Sequence, residues 1–550
     1  MATTDNEKSA KAGMTLRPNS ENGPINRRLQ KTSSLLTDLE KEDKRRDQDR
    51  PDSPSTTDID HDVEARGVPL GQASTRASTI TKKRGYIFMI FIVLTQLVQL
   101  FPYGAGVNGA LTIGRAIGAS DVQAAWIAAS YPLTQGAFVL ISGRLGSVYG
   151  HKFMLTLGGT WWVFWTLATA YGKNIIGISF MRALAGIGGG LMQPNSVALL
   201  GITFPPGKQR NIAFALFGAM APVGAAGGGV IAGIFMQWTD WPWLFFFLGL
   251  LGLVVYGAAI LAVPEDVPLD PNGKVDWIGA YLGVAGLILF NFVWNQAPAA
   301  GWDQPYIYVL LIVSVLHFAA FLLWEAKFAS SPIMPLDIWK APSFGPLMLT
   351  LVFAFMSVGI YVWYVAVFLQ NIRGWDVVLE GCAFIPLAIC GSGAAFIAAW
   401  LVPRMSAQVI IALGCIASAT INILLATTPR HQTYWAMIFP AMIVTAFTID
   451  LMFAASQIIT SATVSKKHQG PAGSLISTLL TYCLSIGLGF AGTVEKYTNR
   501  GGTDLIRGYR SAAYFGIALA GTALIIDVLF VRMKKNTVEG WQGEDAENES

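Results

Sequence analysis

From residue 86 to residue 532 the sequence is a succession of long apolar runs separated by short polar breaks. Hydrocarbon offers no partner for a peptide group, so an apolar run of about 20 residues crosses a bilayer as a helix. Runs of that length lie near 86–108, 122–142, 153–172, 175–199, 211–235, 243–263, 277–296 and 305–325. Six more lie near 344–369, 376–401, 407–427, 434–461, 472–493 and 511–532. They predict an all-α membrane protein with about fourteen transmembrane helices. The segment LTIGRAIGAS after the first run reads as a short external loop. Only 13% of the 550 residues are charged, about half the share usual in soluble domains. A net charge of +4 gives no reason to expect a nucleic-acid partner. Cys382, Cys390, Cys415 and Cys483 all lie inside apolar runs, with neither zinc spacing nor a disulfide framework, so neither metal nor cofactor is expected.

The first 84 residues are polar, mixing charges of both signs with proline and serine. They contain no early apolar core of the kind a signal peptide needs, and too little apolar surface to fold, so a disordered tail is expected. Orientation follows from lysine and arginine in the loops. With both termini cytoplasmic, the inner loops hold Arg144, Lys152, Lys208, Arg210, Lys327, Lys340, Arg404, Lys466, Lys467, Arg532, Lys534 and Lys535. The outer loops hold only Arg115, Lys173, Arg373 and Arg430, apart from a cluster at Lys496, Arg500, Arg507 and Arg510. No P-loop is present, which argues against ATP-driven export by this chain alone. The glycines at 186–190 sit mid-helix with no preceding strand, where small residues serve close helix packing rather than a dinucleotide.

The break GRLGSVYGHK, residues 143–152, is a basic, glycine-punctuated turn between two apolar runs. It resembles the signature of the major facilitator superfamily between its second and third helices, G-x-x-x-D-x-x-G-R-[KR]. Gly143, Gly150 and Lys152 match, Arg144 adds a cation, Ser147 stands at the acidic position and His151 at the first basic one. The resemblance implies an inner gate whose acid latches two halves of a transporter. Ser147 can hydrogen-bond but cannot form an ion pair, so either the latch is weaker here or another acid supplies it.

Two further stretches extend the resemblance. Arg182 and Gly186 match the helix-4 motif R-x-x-Q-G of proton-coupled exporters, with Ala185 in place of the glutamine. Gly224, Gly228 and Gly233 match the helix-5 antiporter motif, with Gly229 and Ala232 replacing other positions. WPWLFF at 241–246, VDWIGAYLG at 275–283 and the penultimate run at 470–489 resemble the 14-helix drug:proton antiporters, in the fungal aminotriazole-resistance-like branch. That family implies two six-helix bundles plus an additional central helix pair. The boundaries would be a cytoplasmic tail at 1–85, an N-terminal bundle at 86–263, the helix pair at 264–330, a C-terminal bundle at 331–532 and a cytoplasmic tail at 533–550.

Proton exchange needs a titratable group in the membrane. The helix-1 position where these exporters carry an aspartate lies near Tyr103, with no acid around it. Helix 1 instead offers Gln96, Gln99, Tyr103 and Asn108, the first three at helical spacing. Asp450 is the carboxyl near a span midpoint and reads as functional by that position. Asp527 lies nearer the inner surface, five residues before Arg532, and reads as half of an interface pair. Arg182, inside a span, must face a cavity or a partner and is expected to tune a carboxyl or hold substrate. Trp126, Tyr131, Gln135, Gln193, Asn195, Tyr361 and Trp363 complete a pocket suited to amphipathic organic molecules.

The expected function is proton-coupled efflux of small organic or toxic compounds by alternating access. The partners would be a small-molecule substrate, protons and the lipid bilayer. The chain would act as a monomer in the plasma membrane, with the vacuolar membrane as the alternative. A facilitator or importer of a small polar solute such as ammonium or borate is the second reading, and a non-transporting receptor the third. No catalytic constellation faces water, so an enzyme is not expected.

Overall fold

A computed structural model describes residues 82–204, 208–341, 343–401, 404–464 and 468–532. The tail up to residue 81, the tail from 533 onward, and the loop lysines 466 and 467 lie outside the described residues. The helices run in order as α1 (Lys82–Ala116), α2 (Asp121–Tyr149), α3 (His151–Thr169), α4 (Ile175–Thr203), α5 (Lys208–Trp238) and α6 (Trp241–Ala262). Next come α7 (Trp277–Ala300), α8 (Pro305–Lys327) and α9 (Phe344–Val367). The remainder are α10 (Val377–Cys382), α11 (Ile385–Leu401), α12 (Ala407–Thr427), α13 (Tyr434–Thr463), α14 (Gln469–Thr498) and α15 (Leu505–Phe530).

Among the described residues, 13 helical segments are long and apolar enough to cross a membrane, with α10 and α11 together forming one of them. The fourteenth predicted span is α3, 19 residues long. His151, Lys152 and three tryptophans make it less hydropathic, yet it packs against α4 and α6 like its neighbours. Local chemistry sets several boundaries. Ser120 and Gln123 form a capping box that starts α2, and Asn174, Asp276 and Asp504 cap α4, α7 and α15 with their side chains. Gly150 is the single residue between α2 and α3, and its φ of 96° is open to glycine and costly for other residues.

Three boundaries depart from the sequence reading. The stretch predicted as an external loop after the first run is helical as far as Ala116, because nothing in LTIGRA breaks a helix. The run 376–401 is interrupted at Ala383–Phe384. Pro386 has no amide hydrogen and clashes with the carbonyl four residues earlier, so the helix cannot run through; the Tyr434 hydroxyl donates to the Ala383 carbonyl in the break at 2.9 Å. The third departure is a π-helical turn at Phe368–Ile372 that prolongs α9.

Below, "inner" denotes the end that carries the α2–α3 turn and "outer" the opposite end. α1 packs against α5, α2 against α4, and α3 against α4 and α6. α9, α12, α13, α14 and α15 form a second group, which α11 joins through α13, while α10 follows the π-helical turn and packs chiefly on α5. The two groups meet along two seams, α2 with α14 and α5 with α10 and α11. α7 lies against α2 and α14, and α8 packs on α7. Polar groups hold α7 there: Asn295 donates to Asn291 Oδ1 at 2.6 Å, and the Ser485 hydroxyl bonds Asn291 and the Ala129 carbonyl.

Lipid tails are as apolar as leucine, so helices in a membrane associate through close packing rather than burial of apolar area. Small residues make this possible. A Cβ on Gly188 of α4 would sit 2.6 Å from the Gly158 carbonyl of α3 and 2.8 Å from the Trp162 amide, both backbone atoms. Gly188→Leu should therefore overpack this seam and destabilise the protein by about 1–3 kcal/mol or more. Gly218→Ala, inside α5 with nothing within 4 Å of its Cβ, should leave the melting temperature in detergent unchanged or slightly raised; thermal unfolding of the two variants measures the contrast.

Candidate functional site

A cavity of about 150 Å³ lies where α1, α2, α4 and α5 face α9, α11, α13 and α14. Most of its wall is apolar. Its polar wall consists chiefly of Gln96, Tyr103 and Asn108 from α1, Gln135 from α2, Gln193 from α4 and Asp450 from α13. Gln135 donates to the Gln193 side-chain oxygen at 3.2 Å, which fixes both amides at one side. Asp450 is half-buried and is the sole carboxyl among the described lining residues. A cavity of this size takes a molecule about as large as benzene. Its chemistry suits a small, mostly apolar solute with one or two polar groups, faced by one ionisable side chain.

The remaining sequence candidates lie elsewhere. Gln99 is buried three residues from Gln96, a rotation of about 60° off the face that Gln96 and Tyr103 share at a spacing of seven. Tyr131 donates to the Gln99 carbonyl at 2.9 Å and accepts from the Trp162 indole at 3.0 Å. Trp126 donates to Gln296 of α7 at 2.8 Å. Tyr361 is buried, and Trp363 lines a small adjoining void with Tyr103 and Val362. Asn195 is fully buried near the inner end, bonded to Ser142, the Leu191 carbonyl and His151.

Arg182 has the buried partners its position demands, but they are not carboxylates. Its Nε donates to the Ile127 carbonyl and its Nη2 to the Pro102 carbonyl, both at 2.7 Å, and its guanidinium lies 5.8 Å from the Phe245 ring centre. It joins α1, α2, α4 and α6, and it is absent from the cavity wall. Asp527 forms no ion pair with Arg532 among the described residues. It is fully buried and neither carboxyl oxygen has a hydrogen-bond partner there, while the Arg532 amide donates to the Ser343 hydroxyl.

Gly224 and Gly228 of the helix-5 motif press on the α1 backbone, with a Gly224 Cβ due 2.5 Å from the Leu97 carbonyl. Gly233 instead meets Val377 and Val378 of α10. The motif thus serves one close seam within the first group of helices and one between the two groups.

At the inner end, Ser147 spends its hydroxyl on the Arg144 carbonyl, one turn back on its own helix, at 2.9 Å. The acids come from the α6–α7 linker. Asp266 accepts from the His151 amide at 2.6 Å and the Lys152 amide at 3.2 Å, which caps α3. Asp270 pairs with Arg144 at 2.9 Å, and its amide donates to the Ser147 carbonyl at 3.0 Å. Arg144 also donates to the Lys274 carbonyl. A carboxylate at a helix N-terminus is favoured by the free amides and the helix dipole together. Gly143 faces Ser474 of α14 across the seam.

The outer end carries a second polar cluster. Arg115 bonds Asp121 at 3.2 Å and Asn371 at 2.6 Å, and Asn371 donates to Asp121 at 3.1 Å and to the Tyr509 hydroxyl at 2.9 Å. The π-helical turn places Asn371 there, and Gln370 beside it donates to the Asn108 carbonyl at 2.8 Å. Gln370 also approaches Glu380 at 3.4 Å. Glu380 is fully buried and its second carboxyl oxygen is unpartnered among the described residues. Glu495, which accepts from the Tyr364 hydroxyl at 2.7 Å, is another polar group in the interior. Sequence reasoning singled out neither glutamate, because each stands near the end of an apolar run where water is expected. No cluster of three or more His, Cys, Asp or Glu able to hold a metal occurs among the described residues.

Asn371→Ala removes the amide shared by both helix groups and should loosen the outer closure. With the native cysteines replaced, a cysteine at position 103 should then react about tenfold faster with an impermeant thiol reagent added outside, the loss expected for a hydrogen bond to a charged group. An unchanged rate would show that the cluster does not close the cavity.

The Major Facilitator Superfamily model matches residues 88–490. The chain is 35% identical to the efflux pump terJ of Aspergillus terreus, over 80% of this chain and 87% of that protein. It is 36% identical to the aminotriazole resistance protein of Saccharomyces cerevisiae, over 81% and 84% respectively. The low affinity ammonium transporter of the same yeast is likewise 36% identical, over 82% and 90%. The matched proteins are transporters, not enzymes, and by the family match and these relatives the chain belongs to the major facilitator superfamily, in its fungal drug-efflux-like branch.

Proposed function

We propose that this protein exports small organic compounds in exchange for protons by alternating access. The observation that carries the proposal is the placement of Asp450: a carboxyl in the wall of a small, largely apolar cavity, between two groups of helices that meet along two seams. A carboxylate in such a place is costly unless it is protonated or paired, so proton and substrate compete for the same space. The cavity volume of about 150 Å³ favours single-ring, weakly polar solutes over bulky ones. Relatives named for efflux and for aminotriazole resistance support export of that class.

In this reading the helix groups 86–263 and 331–532 rock about the cavity, and 264–330 contributes the additional pair. Both termini are cytoplasmic, the protein is a monomer, and it resides in the plasma membrane. The outer cluster around Asn371 closes one side. Glu380, linked to Asn108 through Gln370, is a second proton site, shielded while that side is closed.

A second reading has one specific support, the relative named a low affinity ammonium transporter. Asp450 would then attract a small cation, and uptake into vesicles would proceed with no imposed pH gradient.

Asp450→Asn should abolish export driven by a pH gradient in reconstituted vesicles, a loss of at least about tenfold, while surface expression stays normal. Export that is unchanged at several pH values would remove Asp450 from the mechanism. Ammonium uptake that survives collapse of the gradient would favour the second reading over the first.

A further inference from the structure

A larger cavity, of about 780 Å³, lies at the outer end between α10, α11 and the α12–α13 loop, away from the central cavity. Arg373, Arg430 and His431 line it, and no carboxylate does so among the described residues. Arg373 follows the π-helical turn, with its guanidinium 5.5 Å from the Phe368 ring centre. Its Nε and Nη2 are buried, and neither has a hydrogen-bond partner among the described residues. Buried donors are nearly always satisfied, and a guanidinium presents them in a fork that matches a phosphate. The rest of the lining includes exposed apolar side chains: Leu379 is 51% exposed, Ile385 41% and Trp435 67%. In a helix bundle of this kind such side chains face lipid, and tryptophan marks the headgroup level.

We propose that this groove is a phospholipid site. The phosphate sits against Arg430 and Arg373, whose side chain turns to bring its unpartnered Nε and Nη2 to the groove, and an acyl chain runs along Leu379, Ile385 and Trp435. Two features select the occupant: two arginines on the lining with no carboxylate among the described lining residues, and an apolar wall of exposed side chains. A lipid seated there touches both α10 and the α12–α13 loop, so it braces the segment that carries Glu380 and the π-helical turn.

The test uses the full-length chain, purified in mild detergent with phosphatidylglycerol and examined by native mass spectrometry. The wild-type protein should keep one phospholipid through delipidation, and R373Q/R430Q should retain about tenfold less or lower still. R373K, which keeps the charge but loses the fork, should retain an intermediate amount. R430Q alone, at an exposed rim position, should also weaken retention and serves if the double variant folds poorly. Equal retention by the wild type and R430Q, or by the wild type and a folded double variant, would overturn the site. Displacement of the lipid by inorganic phosphate would identify a free-anion site and overturn the lipid assignment.

Discussion

Hydrocarbon supplies no hydrogen bonds, and that constraint shapes the rest of this molecule. It forces the chain into helices, and it sets a cost on a buried polar side chain that is lowered by a partner on a neighbouring helix or a place beside a cavity. Arg182 takes the first course, spending its guanidinium on two backbone carbonyls and an aromatic ring to join four helices. Asp450 takes the second. The same cost that makes an arginine serviceable as a rivet favours an aspartate at the cavity wall over one inside a helix seam.

Where polar groups are few, shape decides which helices touch. Glycines in α3, α4 and α5 bring backbones within reach of one another, and the α5 motif divides its contacts between α1 and α10. The seams are therefore close but carry few strong bonds. Between the two groups of helices, the outer cluster carries several hydrogen bonds, with single bonds at Ser485–Ala129 and Ser392–Ala219 elsewhere, while α7 is held at Asn291–Ser485, Gln296–Trp126 and Leu287–Tyr482.

Much of this was legible in the sequence. The fourteen runs were, because length and hydropathy fix a spanning helix directly. Five amide or acidic members of the cavity wall, Gln96, Asn108, Gln135, Gln193 and Asp450, were visible as polar residues inside apolar runs. What could not be read was direction. Gln99, Tyr131 and Asn195 have the same chemistry as the cavity residues, yet they point into helix seams, and only packing settles that. The burial of Glu380 was hidden for another reason: the π-helical turn and the Pro386 break fold the end of an apolar run back against α1 and α5. Pro386 was the one local signal of that break.

The α2–α3 turn changes meaning in the folded chain. Read along the sequence it lacks its acid; in space Asp266, about 115 residues downstream, covers the start of α3, and Asp270 neutralises Arg144. An acid within the turn would be anchored to α2 alone. An acid on the linker is tethered to α6 on one side and α7 on the other, so the turn shares its charge balance with the helix lying in the α2–α14 groove. Displacing α7 would then shift the acids that balance the turn without touching the turn itself.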